Sequence, residues 1–104
     1  MSRTGWGTAR VRGRSMLPTL RDGDLLLVRW GARPRTGDLV VVRLPGGRPI
    51  AVKRLVHREP EGWWVERDNP AEGTDSWQVG AVGEGDLLGV VTVRLWPRPG
   101  RPRP

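Results

Sequence analysis

Ser15 and Lys53 are the residues whose types and settings could do chemistry together. Ser15 lies in R-S-M-L-P-T-L, residues 14–20. A hydroxyl becomes a nucleophile when a turn exposes it, a base stands within hydrogen-bond reach and backbone N–H groups can hold an oxyanion. Gly13 permits close backbone approach and unusual dihedrals, and Pro18 fixes its own φ and favours a turn. Met16 and Leu17 can anchor that turn in a core. Local physics offers Ser15 a plainer role as well: Ser is a good cap for a short helical turn, here one starting near Met16.

Lys53 is the candidate base. It is the one Lys among 18 cationic residues, so the other seventeen are Arg. In I-A-V-K-R-L-V-H-R, period-two alternation puts Ala51, Lys53 and Leu55 on one face of a strand. Burial beside apolar neighbours disfavours the ammonium and lowers its pKa, which lets a neutral amine accept a proton. Arg cannot do this, because guanidinium stays protonated. A solvent-exposed Lys of no special role is the other reading of the same residue. The rival base is His57, as part of a Ser–His–Asp triad. On a regular strand His57 shares the Lys53 face, about 13 Å further along at ~3.3 Å per residue, so the two cannot easily both reach Ser15. Asp68 and Asp75, with Asn69, Thr74 and Ser76, fall in one loop. There they either shape the loop or, for Asp75 and Ser76, orient Lys53 and support the Ser15 turn.

The elements that must position these groups are short strands. Leu25–Arg29, Asp38–Leu44, Ile50–Arg58, Gly62–Arg67 and Leu87–Trp96 are rich in Val, Leu and Trp, and Gly, Pro or Asp bounds each. Turns read at R-D-G-D (21–24), R-T-G-D (35–38), P-G-G-R (45–48) and E-P-E-G (59–62). Residues 68–86 form a long loop dense in Gly, Asp and Asn, and long loops in compact domains are often functional. The expected architecture is mainly β: short antiparallel strands with little helix, in one domain over residues 11–96. Residues 1–10 read as an N-terminal leader. Residues 97–104 read as an extended, mobile Pro/Arg-rich tail that does not pair as a strand.

A chain of 104 residues supports one modest core, and 37% hydrophobic residues suit a globular chain. The absence of Cys excludes disulfides and thiol nucleophiles, and with a single His no metal site and no cofactor are expected. No apolar run reaches the eighteen or so residues that cross a bilayer, and the polar N-terminus lacks a signal-peptide core. The sequence therefore reads as cytoplasmic, with membrane association left open. The net charge of +7 invites a nucleic-acid reading, that of a non-catalytic basic β-module using its arginines, its Trp residues and the tail. The arginines are scattered among eleven acids, however, so a solvated Arg-rich surface is the preferred explanation and nucleic acid is not expected as a partner.

The order of motifs carries a resemblance. V-R-G-R-S-M-L-P-T-L, R-D-G-D-L-L-L-V, G-D-L-V-V-V-R, V-K-R-L and R-D-N-P-A-E-G-T-D-S-W-Q-V-G-A-V follow the order of signal peptidase I and LexA-like serine peptidases over about residues 11–96. That resemblance implies a Ser–Lys dyad on a β-rich fold, with Ser15 as nucleophile and Lys53 as general base. It implies a protein substrate, a precursor that is proteolytically processed. Many signal peptidases place a Ser hydroxyl in the oxyanion hole where this chain has Gly13, so the hole would rest on backbone N–H groups, including that of Ser15. Gly73 stands where many relatives have Ser, while Asp75 and Ser76 match. Membrane signal peptidases carry a transmembrane helix and LexA-like repressors a DNA-binding domain, and neither fits in the ten-residue leader. The compact form, with its G-T-D-S box and R-x-W-P ending, is most similar to the nickel-type superoxide dismutase maturation proteases. These are implied to remove an N-terminal propeptide from the dismutase precursor. A signal peptidase-like enzyme without its anchor is the alternative.

Overall fold

The computed structural model describes residues 4–103; Met1–Arg3 of the expected leader and Pro104 of the expected tail lie outside the described residues. Six strands form one antiparallel sheet: β1 Gly5–Arg10, β2 Leu25–Trp30, β3 Leu39–Arg43, β4 Ile50–Glu59, β5 Gly62–Glu66 and β6 Leu87–Trp96. Their order across the sheet is β1-β2-β6-β3-β4-β5. The last strand in the chain thus lies between β2 and β3, joining an N-terminal hairpin to a meander.

Burial follows from that order. In β2, Leu26, Val28 and Trp30 are buried while Leu25, Leu27 and Arg29 are not, which is the alternation of a strand with one face on a core. In β3, Leu39, Val40, Val41 and Val42 are all buried, because apolar groups cover both faces of this interior strand. Val41 and Leu39 join one cluster with Val11, Met16, Leu20, Leu26, Val28 and Trp30. Val40 and Val42 join the other, with Leu44, Leu55, Val65 and Val82. Full burial of each Val or Leu contributes roughly 1.5–3 kcal/mol, so two small clusters hold the sheet from both sides.

Both R-x-G-D stretches are turns built alike. The Asp carboxylate accepts from the Arg backbone N–H, Asp24 from Arg21 at 2.9 Å and Asp38 from Arg35 at 2.8 Å. The Asp N–H in turn donates to the Arg carbonyl, at 3.0 Å in each case.

Two expectations need correction. Residues 5–10 are not a leader: β1 pairs with β2 along its full length, from Gly5 opposite Trp30 to Arg10 opposite Leu25. Gly5 and Gly7 leave nothing to alternate on one face, and Gly7 is required because Trp30 packs where its Cβ would stand. The segment after Ser15 does form the single short turn expected near Met16, with Leu17 N–H donating to Arg14 O at 3.2 Å and Leu20 N–H to Met16 O at 2.9 Å, four positions back as in a helix. The Pro/Arg-rich ending is not wholly free either. Arg94 and Gly100 exchange a pair of backbone hydrogen bonds at 2.7 and 3.0 Å, which folds the chain back along the end of β6.

The long loop holds a single turn of helix, α1 Ser76–Val79, and a 3-10 turn at Glu84–Asp86. Among the described residues no helix is long and apolar enough to cross a membrane.

Candidate active site

Lys53 Nζ donates a hydrogen bond to Ser15 Oγ at 2.7 Å, so the two residues singled out from the sequence meet across 38 positions of chain. Each is placed by different forces. The Ser15 turn is pinned below by Met16, which is 1% exposed within the larger core cluster. Gly13, two residues earlier, has φ +83, a conformation that L side chains rarely adopt, and it lets the chain turn sharply out of the β1–β2 hairpin. Its N–H donates to Asp22 Oδ1 at 2.7 Å. Gly13 therefore supplies the turn and not an oxyanion donor. The Ser15 N–H has no partner among the described residues, which leaves it available to an oxyanion.

Lys53 sits in the middle of β4 opposite Val40, with Ala51 opposite Val42. Cross-strand partners share a face, so Ala51, Lys53 and Leu55 lie together as the period-two reading expects. Lys53 is 3% exposed. Burial pushes its pKa below the ordinary amine value; Asp75 nearby pulls it back up, and Arg67 pushes it down again. Desolvation dominates, and it favours the neutral amine that a general base requires.

A third segment, running from the end of β5 to α1, clamps the Ser15 turn. Asn69 N–H donates to Ser15 O at 2.8 Å, and Asn69 Nδ2 donates to Arg14 O at 2.9 Å. Asp68 ties the turn to β4: its carboxylate accepts from Thr19 Oγ1 at 2.5 Å and from Arg54 Nη2 at 2.6 Å, the residue after Lys53. Gly73, at φ +109, lies so close to Ser15 that an added Cβ would overlap Ser15 Cβ. Local sequence reasoning treats Asp68 and Asn69 as loop residues, because their partners lie about fifty positions away.

Asp75 and Ser76 are both buried, but neither is hydrogen-bonded to Lys53 or Ser15. Asp75 Oδ2 accepts from Arg67 N at 2.9 Å and Oδ1 from Trp77 N at 3.0 Å. Gln78 Oε1 accepts from Asp75 N at 2.9 Å, completing a capping box at the start of α1. Ser76 Oγ accepts from Val65 N at 2.9 Å. Asp75 therefore acts on Lys53 through its charge, while Ser76 fastens α1 to β5. The spacing of Asp75 and Gln78 in D-S-W-Q is the sequence signal for that cap.

His57 is elsewhere. A β-bulge between Leu55 and His57 shifts the register, so Leu55 faces Val65 and His57 faces Trp64. One extra residue turns the side chain to the other face of the sheet. There His57 lies 2.8 Å from a Glu59 carboxylate oxygen and stacks on Trp64, with ring centroids 5.9 Å apart.

Ser15 and Lys53 open into a groove walled by Arg12, Arg14, Arg48, Ile50, Glu72 and Thr74. A smaller pocket adjoins Ser15, formed by Ala9, Val11, Met16, Val41 and Val52 with Arg10 and Arg12 at its side. Among the described residues no group of three or more His, Cys, Asp and Glu side chains is arranged to hold a metal ion.

A serine hydroxyl held against a buried amine, on a small antiparallel β fold with a groove leading to it, is the arrangement of a serine peptidase-type protein. The chain belongs to the Peptidase S24-like family, whose model matches residues 4–92, a family of the LexA and signal peptidase clan. That match includes β1 and supports the clan expected from the order of motifs. No curated protein matches the chain.

Proposed function

We propose that the protein is a serine endopeptidase in which Ser15 is the nucleophile and Lys53 the general base. The 2.7 Å contact between Lys53 Nζ and Ser15 Oγ, with Nζ buried and its pKa lowered, carries this reading. With the amine neutral, its lone pair accepts the Ser15 proton as Oγ attacks the scissile carbonyl carbon. The resulting oxyanion lies against the Ser15 N–H. Lys53 then gives the proton to the leaving amine, and the C–N bond breaks to leave an ester on Ser15. Water, deprotonated by the same amine, attacks that ester, and its collapse returns the proton to Oγ.

The substrate is a precursor protein whose N-terminal propeptide is removed, and the nickel-type superoxide dismutase precursor is the substrate that the G-T-D-S box and R-x-W-P ending favour. The test is intact-mass spectrometry of that precursor incubated with the wild-type protein, Ser15→Ala and Lys53→Ala. Loss of the propeptide with the wild type alone is expected. Cleavage that survives Ser15→Ala would end the dyad assignment. A precursor left whole by the wild type, alongside cleavage of a signal-peptide-bearing precursor, would move the substrate to the signal peptidase-like alternative.

A further inference from the structure

Two groups stand out among the seventeen arginines of this chain. Arg43, Arg54, Arg58, Arg67 and Arg94 each pair with a carboxylate: Asp86, Asp68, Glu84, Asp75 and Asp24 respectively. Arg12, Arg14 and Arg48 are exposed, and their guanidinium groups have no partner among the described residues. These three line the groove that leads to Ser15 and Lys53. They reach it from two sides, Arg12 and Arg14 from the nucleophile turn and Arg48 from the β3–β4 connection.

The local charge balance is lopsided. Glu72 is the one acid in the groove wall. Asp22 stands behind Gly13, with an oxygen of its carboxylate accepting the Gly13 N–H. Like charges placed around one cleft raise its potential and draw in the opposite charge, and low-dielectric walls focus the effect. Guanidinium also offers a rigid fork of N–H donors that matches a carboxylate in two-point contact. Three unpaired forks around one groove thus form a receptor for carboxylates. An extended peptide advances about 3.3 Å per residue, so side chains close to the bond at Ser15 are the ones these groups meet.

Resting on the proposed peptidase function, we infer that the groove selects acidic peptide segments: the substrate carries Asp or Glu within a few residues of the scissile bond, held by Arg12, Arg14 and Arg48. Bond-breaking belongs to Ser15 and Lys53; the arginines determine which segment is presented to them. The attraction is partly screened, since the Debye length at physiological salt is about 8 Å, so the selection weakens as salt rises.

Binding separates this inference from catalysis. Two fluorescein-labelled decapeptides share a central Ala-Ala, small enough for the pocket beside Ser15, and differ only in flanking residues, two Asp in one and two Lys in the other. Their anisotropy is measured on full-length Ser15→Ala protein at low and physiological salt. The Asp peptide is expected to bind on the order of tenfold more tightly at low salt, with the margin shrinking as salt is added. Arg12→Gln/Arg48→Gln in the same background should remove most of that margin. Arg33→Gln/Arg35→Gln, an equal loss of charge outside the groove wall, should preserve it. Equal binding of the two peptides would overturn the inference. So would equal damage from the two double variants, because the preference would then come from net charge alone. If the preference follows the groove arginines while wild-type protein cleaves no Asp-flanked peptide or precursor, the selective groove stands and the peptidase reading falls.

Discussion

Strand β4 carries two groups that could serve as a base, Lys53 and His57, and the sheet treats them in opposite ways. Lys53 is buried opposite Val40 and held to Ser15 Oγ, with its amine pushed toward neutrality. His57, four positions on, is exposed beside Glu59 and Trp64. Imidazole is by nature the better base near neutral pH, yet the residue of higher intrinsic pKa occupies the site. A base is defined by its surroundings more than by its type: desolvation prepares the amine, and one inserted residue in the strand removes the imidazole from the face that matters.

The sharpest way to break this comparison is to exchange the roles of the two residues in catalysis. Ser15→Ala, Lys53→Ala and Lys53→Arg should each lower kcat/KM on a cleaved precursor by ~10⁴-fold or more, since the groups act as a unit. Lys53→Arg keeps a long basic side chain but stays protonated and has no lone pair to offer, so its activity should be no better than that of Lys53→Ala. His57→Gln should remain within about twofold of wild type, as expected for a residue that touches no reacting atom. An active Lys53→Arg protein or an inactive, folded His57→Gln protein would reverse the assignment.

Disturbing the clamp should cost less. Gly73→Ala places a Cβ against Ser15 at a backbone conformation unsuited to L residues. A loss on the order of 10²-fold in kcat is expected from a displaced nucleophile, with the melting temperature measured in parallel. A wild-type rate would show that the loop yields without moving Ser15.

Stability against pH sharpens the contrast without requiring a substrate. Because the folded pKa of Lys53 lies below the ordinary 10.5, the unfolded chain binds more protons between the two values. Stability then rises with pH across that window, by as much as about 1.4 kcal/mol per pH unit for one proton. The chain has no Tyr or Cys and no other Lys, so few other side chains titrate in the alkaline range below 10.5. Urea denaturation should show the slope in wild type and in His57→Gln, and its loss in Lys53→Met. The gentlest change is Asp75→Asn. It removes the charge that raises the Lys53 pKa, so the single lysine ¹³Cε resonance should titrate at lower pH than in wild type. Movement in the other direction would contradict the electrostatic role given to Asp75.

How much of this was legible in the sequence depended on the range of the forces involved. The strands from β2 to β6 were readable because apolar alternation is local, and Ser15 and Lys53 stood out because each is chemically distinctive in its own stretch. β1 was hidden because glycines contribute nothing to one of its faces. The position of His57 depended on a bulge, and a one-residue shift in pairing leaves no mark in composition. Asp68 and Asn69 were unreadable as supports of the Ser15 turn, because their roles exist only once segments about fifty residues apart have met. The D-S-W-Q cap was visible in principle, but it lay inside a stretch whose Gly, Asp and Asn content reads as loop.

The place of β6 in the sheet bears on when the site can come into being. The Ser15 turn belongs to the first hairpin and Lys53 to the later meander, and the strand that unites these halves is the last of the six in the chain. During synthesis Ser15 emerges early, Lys53 later, and the connecting strand after both. Until β6 is inserted, the hairpin and the meander share no strand-to-strand hydrogen bonds, and hydroxyl and amine are joined only through the Asp68 and Asn69 clamp and the packing of Met16 with Val41 and Val52. The sheet that fixes the spacing of Ser15 and Lys53 is therefore complete only when the last strand of the chain is in place.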